Sequence, residues 1–336
     1  MSNEIEFYDY NRIKSYNALF NFILSPRGNG KTFGAKEFCI KRFIKYGEQF
    51  IYVRRYKSEF KKLQLFFDDI RFKFPNVKLE VKGKTFLINE KVAGYAIALS
   101  TSQSEKSTAY PDVGTILFDE FIVDKSYIRY LPNEVEIFLD LYETIARFRE
   151  NVKAYFLANK VTLVNPYFKY FDCIPKRENR FSTFKDGEIV VEQFTSESFI
   201  EMKKKTRFGR LISGTKYGDY AIDNKSLRDS NTFISNKKPK DAFFLFSVIY
   251  NQEELGFWLS FEESMCYIND SIQKNSKDRF SITKDDHDIN LIMADKLTNF
   301  NMFKEFLRYY RLGQIRIKNI QCKLLLYEIM EYLGIK

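Results

Sequence analysis

Residues 17–32 read Asn-Ala-Leu-Phe-Asn-Phe-Ile-Leu-Ser-Pro-Arg-Gly-Asn-Gly-Lys-Thr, and the rest of the chain takes its meaning from them. The apolar run Leu19–Leu24 predicts a buried strand. A tight Ser-Pro-Arg-Gly-Asn-Gly turn ends it. After Lys31-Thr32 come apolar residues at helical spacing: Phe33, Phe38, Ile40, Phe43 and Ile44. Strand, glycine-bearing loop, Lys-Thr and helix together make a phosphate-binding loop in the context that motif requires. Backbone N–H groups across Arg27, Gly28, Asn29 and Gly30, backed by the helix N-terminus, suit phosphate oxygens. Lys31 reaches the β- and γ-phosphates of ATP, and the Thr32 hydroxyl ligates Mg²⁺. The full pattern asks for Gly at position 25; this chain has Ser25, so the loop is a variant.

The second motif is Gly114-Thr-Ile-Leu-Phe-Asp-Glu-Phe, an apolar strand ending in two acids. Alone it says little. Placed 88 residues after Lys31, it reads as the Walker B strand. Asp119 at the strand tip holds Mg²⁺, and Glu120 orients and polarises the attacking water. The run Ala154–Ala158 predicts a further strand ending in Asn159-Lys160, where a polar side chain can reach the γ-phosphate or the lytic water. Residues 132–150 predict a helix whose end carries Arg147 and Arg149. An arginine there either complements the helix macrodipole or enters a neighbouring subunit's site during phosphoryl transfer.

Between the motifs, Gln49–Val53 predicts a short strand, and residues 57–74 an amphipathic helix with Lys57 and Lys61 on one face. That basic face is either solvated or in contact with a phosphate backbone. Val77–Val81 and Thr85–Ile88 read as a hairpin, Ala96–Leu99 as a strand, and 100–108 as a polar loop carrying Lys106. Tyr8, Tyr10 or Arg12 either stack on adenine or pack the sheet edge. Phe181–Phe194 reads as a hairpin turning at Lys185-Asp186-Gly187, followed by a helix with the basic run 203–207.

The chain has 336 residues, 45% of them hydrophobic, long enough for two folded domains. A formal charge of +10 and a pI near 9.1 favour a polyanionic partner. The four cysteines are widely spaced and His287 is the only histidine, which argues against zinc and for reduced thiols in a cytosolic setting. No apolar signal core opens the chain and no apolar run is long enough to span a bilayer, so neither secretion nor a membrane partner is expected.

Residues 209–240 are rich in Gly, Ser, Asn and Lys, a composition shift that marks a linker. Beyond it, strands are expected at Ala242–Tyr250, Gly256–Cys266 and Arg279–Thr283, a helix at 301–312, a strand at 314–317 and a helix at 320–333. The order βββαβα opens an RNase H-like fold. Such a nuclease needs carboxylates on the first strand and at the tip of the fourth. Neither Phe243–Tyr250 nor the Lys318-Asn319 end of the strand at 314–317 supplies one, so the site reads as degenerate.

Taken in order, Ser-Pro-Arg-Gly-Asn-Gly-Lys-Thr, Ile-Leu-Phe-Asp-Glu-Phe, Ala-Arg-Phe-Arg and Leu-Ala-Asn-Lys-Val-Thr-Leu-Val-Asn-Pro-Tyr-Phe resemble the genome-packaging ATPase of phi29-like phages. The resemblance covers the first two hundred residues best. It implies an α/β fold: a RecA-like ASCE P-loop ATPase domain (1–197), a small linker or lid region (198–240) and a C-terminal α+β vestigial RNase H-like domain (241–336). It further implies ATP and Mg²⁺ as cofactors, with Lys31, Thr32, Asp119 and Glu120 as the catalytic core. Arg147 becomes a finger acting in trans, Lys106 a second trans contact, and Lys57 and Lys61 contacts to DNA. The implied assembly is a homopentameric ring at the portal vertex of a procapsid in the host cytoplasm, attached through a packaging RNA and moving double-stranded DNA. Two rival classes remain: a terminase with an active metal-dependent nuclease, and a nucleotide-switched nucleic-acid-binding protein.

Overall fold

The apolar run after Ala18 becomes strand β1 (Phe20–Ser25), buried at all six positions. Its alternate side chains feed two different cores: Phe20, Phe22 and Leu24 face one, Ile23 the other. A strand buried on both faces belongs at the centre of a parallel sheet, and β1 is there. The coordinates are a computed structural model that describes residues 7–123, 129–159, 163, 165–176, 179–215, 233–294 and 296–335. The chain divides into two compact units, 1–229 and 230–336.

In the first unit β2 (Gln49–Arg54), β3 (Leu79–Lys82), β4 (Thr85–Ile88), β5 (Lys91–Ala98), β6 (Val113–Asp119), β7 (Lys153–Asn159), β8 (Phe181–Phe184) and β9 (Ile189–Gln193) join β1. The sheet order is β3-β4-β5-β2-β6-β7-β1-β9-β8. The six strands from β5 to β9 run parallel, and the hairpins β3-β4 and β8-β9 close the ends antiparallel. Helices α1 (Tyr10–Ser15) and α2 (Lys31–Tyr46) pack on one face; α3 (Glu134–Ala146) and α4 (Pro166–Tyr170) pack on the other. On the α3 side, Phe22 and Phe156 stack at 4.3 Å and Phe118 lies parallel to Phe138 at 5.8 Å. Each ring so buried contributes about 1.5–3 kcal/mol. The unit continues past residue 197 through α5 (Glu197–Lys205) and α6 (Arg207–Ile212).

Several expectations change. Residues 57–74 form no α-helix: 3₁₀ turns cover Lys57–Leu65 and Arg71–Lys73, with Lys62 out of helical geometry. The cause is local, because Glu59 turns back to accept from the Tyr56 N–H and from Arg54. At three residues per turn, Lys57 and Lys61 point about 120° apart, although both are exposed. The polar loop at 100–108 is mostly a 3₁₀ segment, Leu99–Glu105. The helix expected over 132–150 is shorter and ends at Ala146, leaving Arg147 as its C-cap.

The second unit carries β10 (Phe243–Tyr250), β11 (Glu253–Ser260), β12 (Met265–Asn269), β13 (Arg279–Ser281), β14 (Ile292–Met293), α7 (Asn301–Arg311), β15 (Ile315–Ile317) and α8 (Ile320–Tyr332). The single strand expected over Gly256–Cys266 is instead two strands across a turn. Ser264 adopts φ 50° there, and Ser260 Oγ accepts from the Glu263 N–H. The sheet order is β14-β13-β10-β11-β12-β15. The strand at 314–317 therefore lies beside the third strand, not the first; the strand parallel to β10 is β13. That moves the acid question to the end of β13, where Asp285 and Asp286 follow. Asp286 is already engaged, accepting from the Asn251 and Gln252 N–H groups and the Thr283 hydroxyl.

Candidate active site at the strand tips

Parallel neighbours end side by side, and cross-strand register fixes which side chains meet there. Ser25 pairs with Asn159 across β1 and β7, Leu157 with Asp119 across β7 and β6, and Phe118 with Val53 across β6 and β2. The phosphate-loop strand, the Asp-Glu strand and the strand ending in Arg54 thus converge on a cavity of about 210 Å³ that Lys31, Thr32, Asp119, Glu120 and Asn159 line.

The loop from β1 to α2 needs glycine twice: Gly28 has φ 89° and Gly30 φ 85°, the left-handed region closed to most side chains. A Cβ at Gly30 would also come tightly against the Phe7 ring at 3.3 Å, while one at Gly28 would only touch Phe199 at 3.4 Å. The Tyr8 N–H donates to Asn29 O, and Lys203 Nζ on α5 donates to Arg27 O, so the crest is held from two elements. Among the described residues the Asn29 amide is fully buried with no protein partner for its oxygen or nitrogen.

Lys31 Nζ donates to Asn159 Oδ1 at 2.7 Å, which aims the ammonium across the cavity. The Thr32 hydroxyl lies 3.4 Å from Asp119 Oδ1, and the Tyr52 hydroxyl donates to Asp119 Oδ2 at 3.2 Å. Burial and then the Asp119 charge push the Tyr52 phenol well above its ordinary pKa, so it stays a donor. A hydroxyl and a carboxylate this close, on facing elements beside a loop of N–H donors, fit a hard cation with bound phosphate oxygens. Glu120, just past the strand, has φ 61° and a half-exposed side chain.

Two arginines at the end of β2 belong to the site, although neither was singled out from the sequence. Arg54 contacts Glu120 at 2.7 Å, Glu59 at 2.6 Å and Asp119 at 3.6 Å. Arg55 is buried and holds the turn after Asp119, donating to Glu120 O and Phe121 O. It pairs with the buried Glu134 at 2.6 Å, which also accepts from the Tyr167 hydroxyl. Their signal was the strand end itself, since parallel register carries β2's last residues to the Asp-Glu tip.

The remaining candidates lie apart. Tyr8 and Tyr10 are buried and pack with Phe194 and Phe38, their hydroxyls given to Glu192 and Lys31 O. Lys106 pairs with Asp140 at 3.1 Å, both half-exposed. Arg147 is exposed and, among the described residues, has no ion-pair partner. Lys160 lies outside the described residues. All four cysteines are buried and free.

The sequence pattern of the family described as Podovirus DNA encapsidation protein (Gp16) spans residues 2–335. The DNA packaging protein of Bacillus phage phi29 is 41% identical over 330 residues, covering 98% of each chain. That of Bacillus phage B103 is 39% identical over 322 residues, 96% of this chain and 99% of its own. A chain of the bacteriophage Phi-29 viral genome packaging motor assembly superposes with a TM-score of 0.78 at 39% identity, over 98% of this chain and 99% of that one. A family pattern that spans residues 2–335, with relatives 39–41% identical over nearly the whole chain, leaves one assignment: this chain belongs to the Podovirus DNA encapsidation protein (Gp16) family.

Proposed function

We propose that this chain is the ATP-hydrolysing subunit of a motor that drives double-stranded viral DNA into a preformed procapsid. It works as a homo-oligomeric ring, pentameric as the resemblance implies, at the portal vertex with a packaging RNA. The observation that carries this reading is the convergence of Lys31, Thr32, Asp119 and Glu120 at adjacent strand tips in a chain 41% identical to a DNA packaging protein. Thr32 and Asp119 would hold Mg²⁺, which when bound supplies charge neutralisation at the phosphate oxygens. Lys31 and the loop N–H groups orient the phosphates, with Asn159 fixing the lysine. Glu120 positions water for in-line attack, and Arg147 of the adjacent subunit neutralises charge as the phosphoryl group leaves.

Lys57 and Lys61 would contact DNA phosphates without base readout, as a motor for any sequence requires. Lys106 would exchange Asp140 for a neighbour's phosphates, a small cost because exposed pairs are worth about 0–1 kcal/mol. For the second unit the order β12-β11-β10-β13-β14, an antiparallel meander flanked by two parallel strands, supports a vestigial RNase H-like sheet. Among the described residues no three His, Cys, Asp or Glu side chains cluster as a metal site. No helix among them is long and apolar enough to cross a membrane.

The test is steady-state ATP turnover of assembled wild type, Arg147→Ala, Glu120→Gln and a one-to-one mixture of the two variants. Both variants should be inactive alone and recover activity when mixed, because an intact Lys31–Glu120 site can then face an intact arginine. Full turnover by assembled Arg147→Ala would remove the finger.

A further inference from the structure

The residues around Arg147 form a built turn, and the reading of Arg147 as a trans-acting group does not by itself explain its parts. Helix α3 stops at Ala146, and Arg147 takes φ 50° and ψ −116°, a conformation unfavourable for a residue with a Cβ. Strain of that kind persists only where its surroundings enforce it. Here the enforcer is Arg149. Its Nη1 donates to Pro111 O and Val113 O, both at 2.7 Å, and its Nη2 to Tyr110 O at 2.8 Å and Ile145 O at 2.6 Å. Four charge-assisted bonds tie the turn to the segment leading into β6 and to the last turn of α3. Between the clamp and the helix, Arg147 and Phe148 project outward. Phe148 is fully exposed, and Arg147 has no ion-pair partner among the described residues.

A single exposed aromatic is ordinary. An exposed aromatic on a strained, four-bonded turn, one residue from an arginine with no ion-pair partner among the described residues, is a presented group. We propose that Phe148 is the interface anchor of the finger: it seats on the rim of the nucleotide cavity of a second copy of this chain, and Arg149 is the positioning residue that holds Phe148 and Arg147 at the right angle. This rests on the trans role of Arg147 given above. Arg147 and Phe148 are adjacent and both exposed, so a surface that receives Arg147 at its phosphates lies within reach of Phe148. Aromatic anchors in desolvated pockets are the usual centres of such contacts. They also fix an approach in which a misplacement of about 1 Å costs about a hundredfold in rate.

The test is turnover of assembled Phe148→Ala, Phe148→Leu and Arg149→Lys, with melting temperature recorded for each. Phe148→Ala should lose about tenfold or more in kcat, with KM for ATP and the melting temperature unchanged, because the ring contacts only a neighbour. Phe148→Leu should recover most of the rate. Arg149→Lys, which cannot make four directed bonds, should lower kcat while leaving KM in place. Mixed one-to-one with Glu120→Gln, Phe148→Ala should regain activity, since its own intact site then faces an intact Phe148–Arg147 turn. Unchanged kcat in assembled Phe148→Ala, or no rescue on mixing, overturns the anchor. Full turnover by Arg147→Ala would instead defeat the finger reading on which it stands, and the two failures are told apart by that variant.

Discussion

The two sheets of this chain use their carboxylates in opposite ways. In the first unit, β1, β7, β6 and β2 are parallel neighbours, so Ser25, Asn159, Asp119 and Arg54 finish side by side. The acids there are shared between elements: Asp119 with Thr32, Tyr52 and Arg54, and Glu120 with Arg54. In the second unit three acids near strand ends each have their own donors. Glu254 accepts from Arg279 and Ser247, Asp270 from Lys318, and Asp286 from two backbone N–H groups and Thr283. A carboxylate with its own set of donors is a lock; acids gathered on one arginine can exchange partners when a ligand arrives. Parallel neighbours bring side chains together in both sheets, since Asp270 and Lys318 follow the parallel strands β12 and β15; the difference is that Arg54 alone meets Glu59, Asp119 and Glu120.

The largest effect should separate the units outright. Lys31→Ala or Glu120→Gln should lower ATP turnover of the assembled protein by about 10²–10⁴-fold, the range for a lost acid–base or electrostatic group. Asp286→Ala should leave turnover within about twofold and act only on stability. Phosphate release by the three variants measures this. An Asp286→Ala protein that loses turnover would break the comparison, because the second unit's acids would then be doing chemistry or controlling it.

A stability contrast comes next. Arg55 and Glu134 are both buried, so Arg55→Met strands a charge and should cost about 3–5 kcal/mol. Arg279→Met leaves Glu254 nearer solvent with the Ser247 bond intact, and should cost about 1–3 kcal/mol. Native-state hydrogen exchange of α3 and of β11 reads the two separately. Equal losses would mean that the second unit's pair is as deeply committed as the first's.

How much of this was legible beforehand follows the same division. Lys31, Thr32, Asp119 and Glu120 were readable because phosphate and metal chemistry forces local patterns: glycines of positive φ, Lys-Thr at a helix start, acids at a strand end. Arg54 and Arg55 were not, because Asp119 and Glu134 lie 65 and 79 residues away and are joined to them only by the β2–β6 register and by the packing of α3. The helix expected over 57–74 failed for a related reason: its apolar spacing was real, yet Glu59 was bound to Arg54 and capped a 3₁₀ turn. In the second unit the turn between β11 and β12 contains neither Gly nor Pro, so periodicity ran through it. With β11 and β12 read as one, the strand at 279–283, which is β13, counted as the third and that at 314–317 as the fourth.

The smallest effect is also the sharpest, because its sign differs between the units. Burial raises the pKa of Glu192, and the bonds from Tyr8 and Arg180 do not offset it. For Glu254 burial again pulls upward, but the bonds from Arg279 and Ser247 prevail and its pKa falls below the ordinary 4.5. A raised folded pKa means that Glu192's contribution to stability is fully present below 4.5 and is lost as pH rises through the folded value. A lowered one means that Glu254's contribution is present above 4.5 and is lost as pH falls through the folded value. Urea midpoints of Glu192→Gln and Glu254→Gln relative to wild type, taken between about pH 3 and pH 8, should therefore drift in opposite senses. Glu192→Gln should improve relative to wild type as pH rises from about 4, because glutamine never has to ionise inside the sheet. Glu254→Gln should be worse than wild type near neutrality and approach it in acid. Parallel drifts would mean that Arg180 already governs Glu192 as Arg279 governs Glu254, and that the first unit's buried acid is as firmly locked as those of the second.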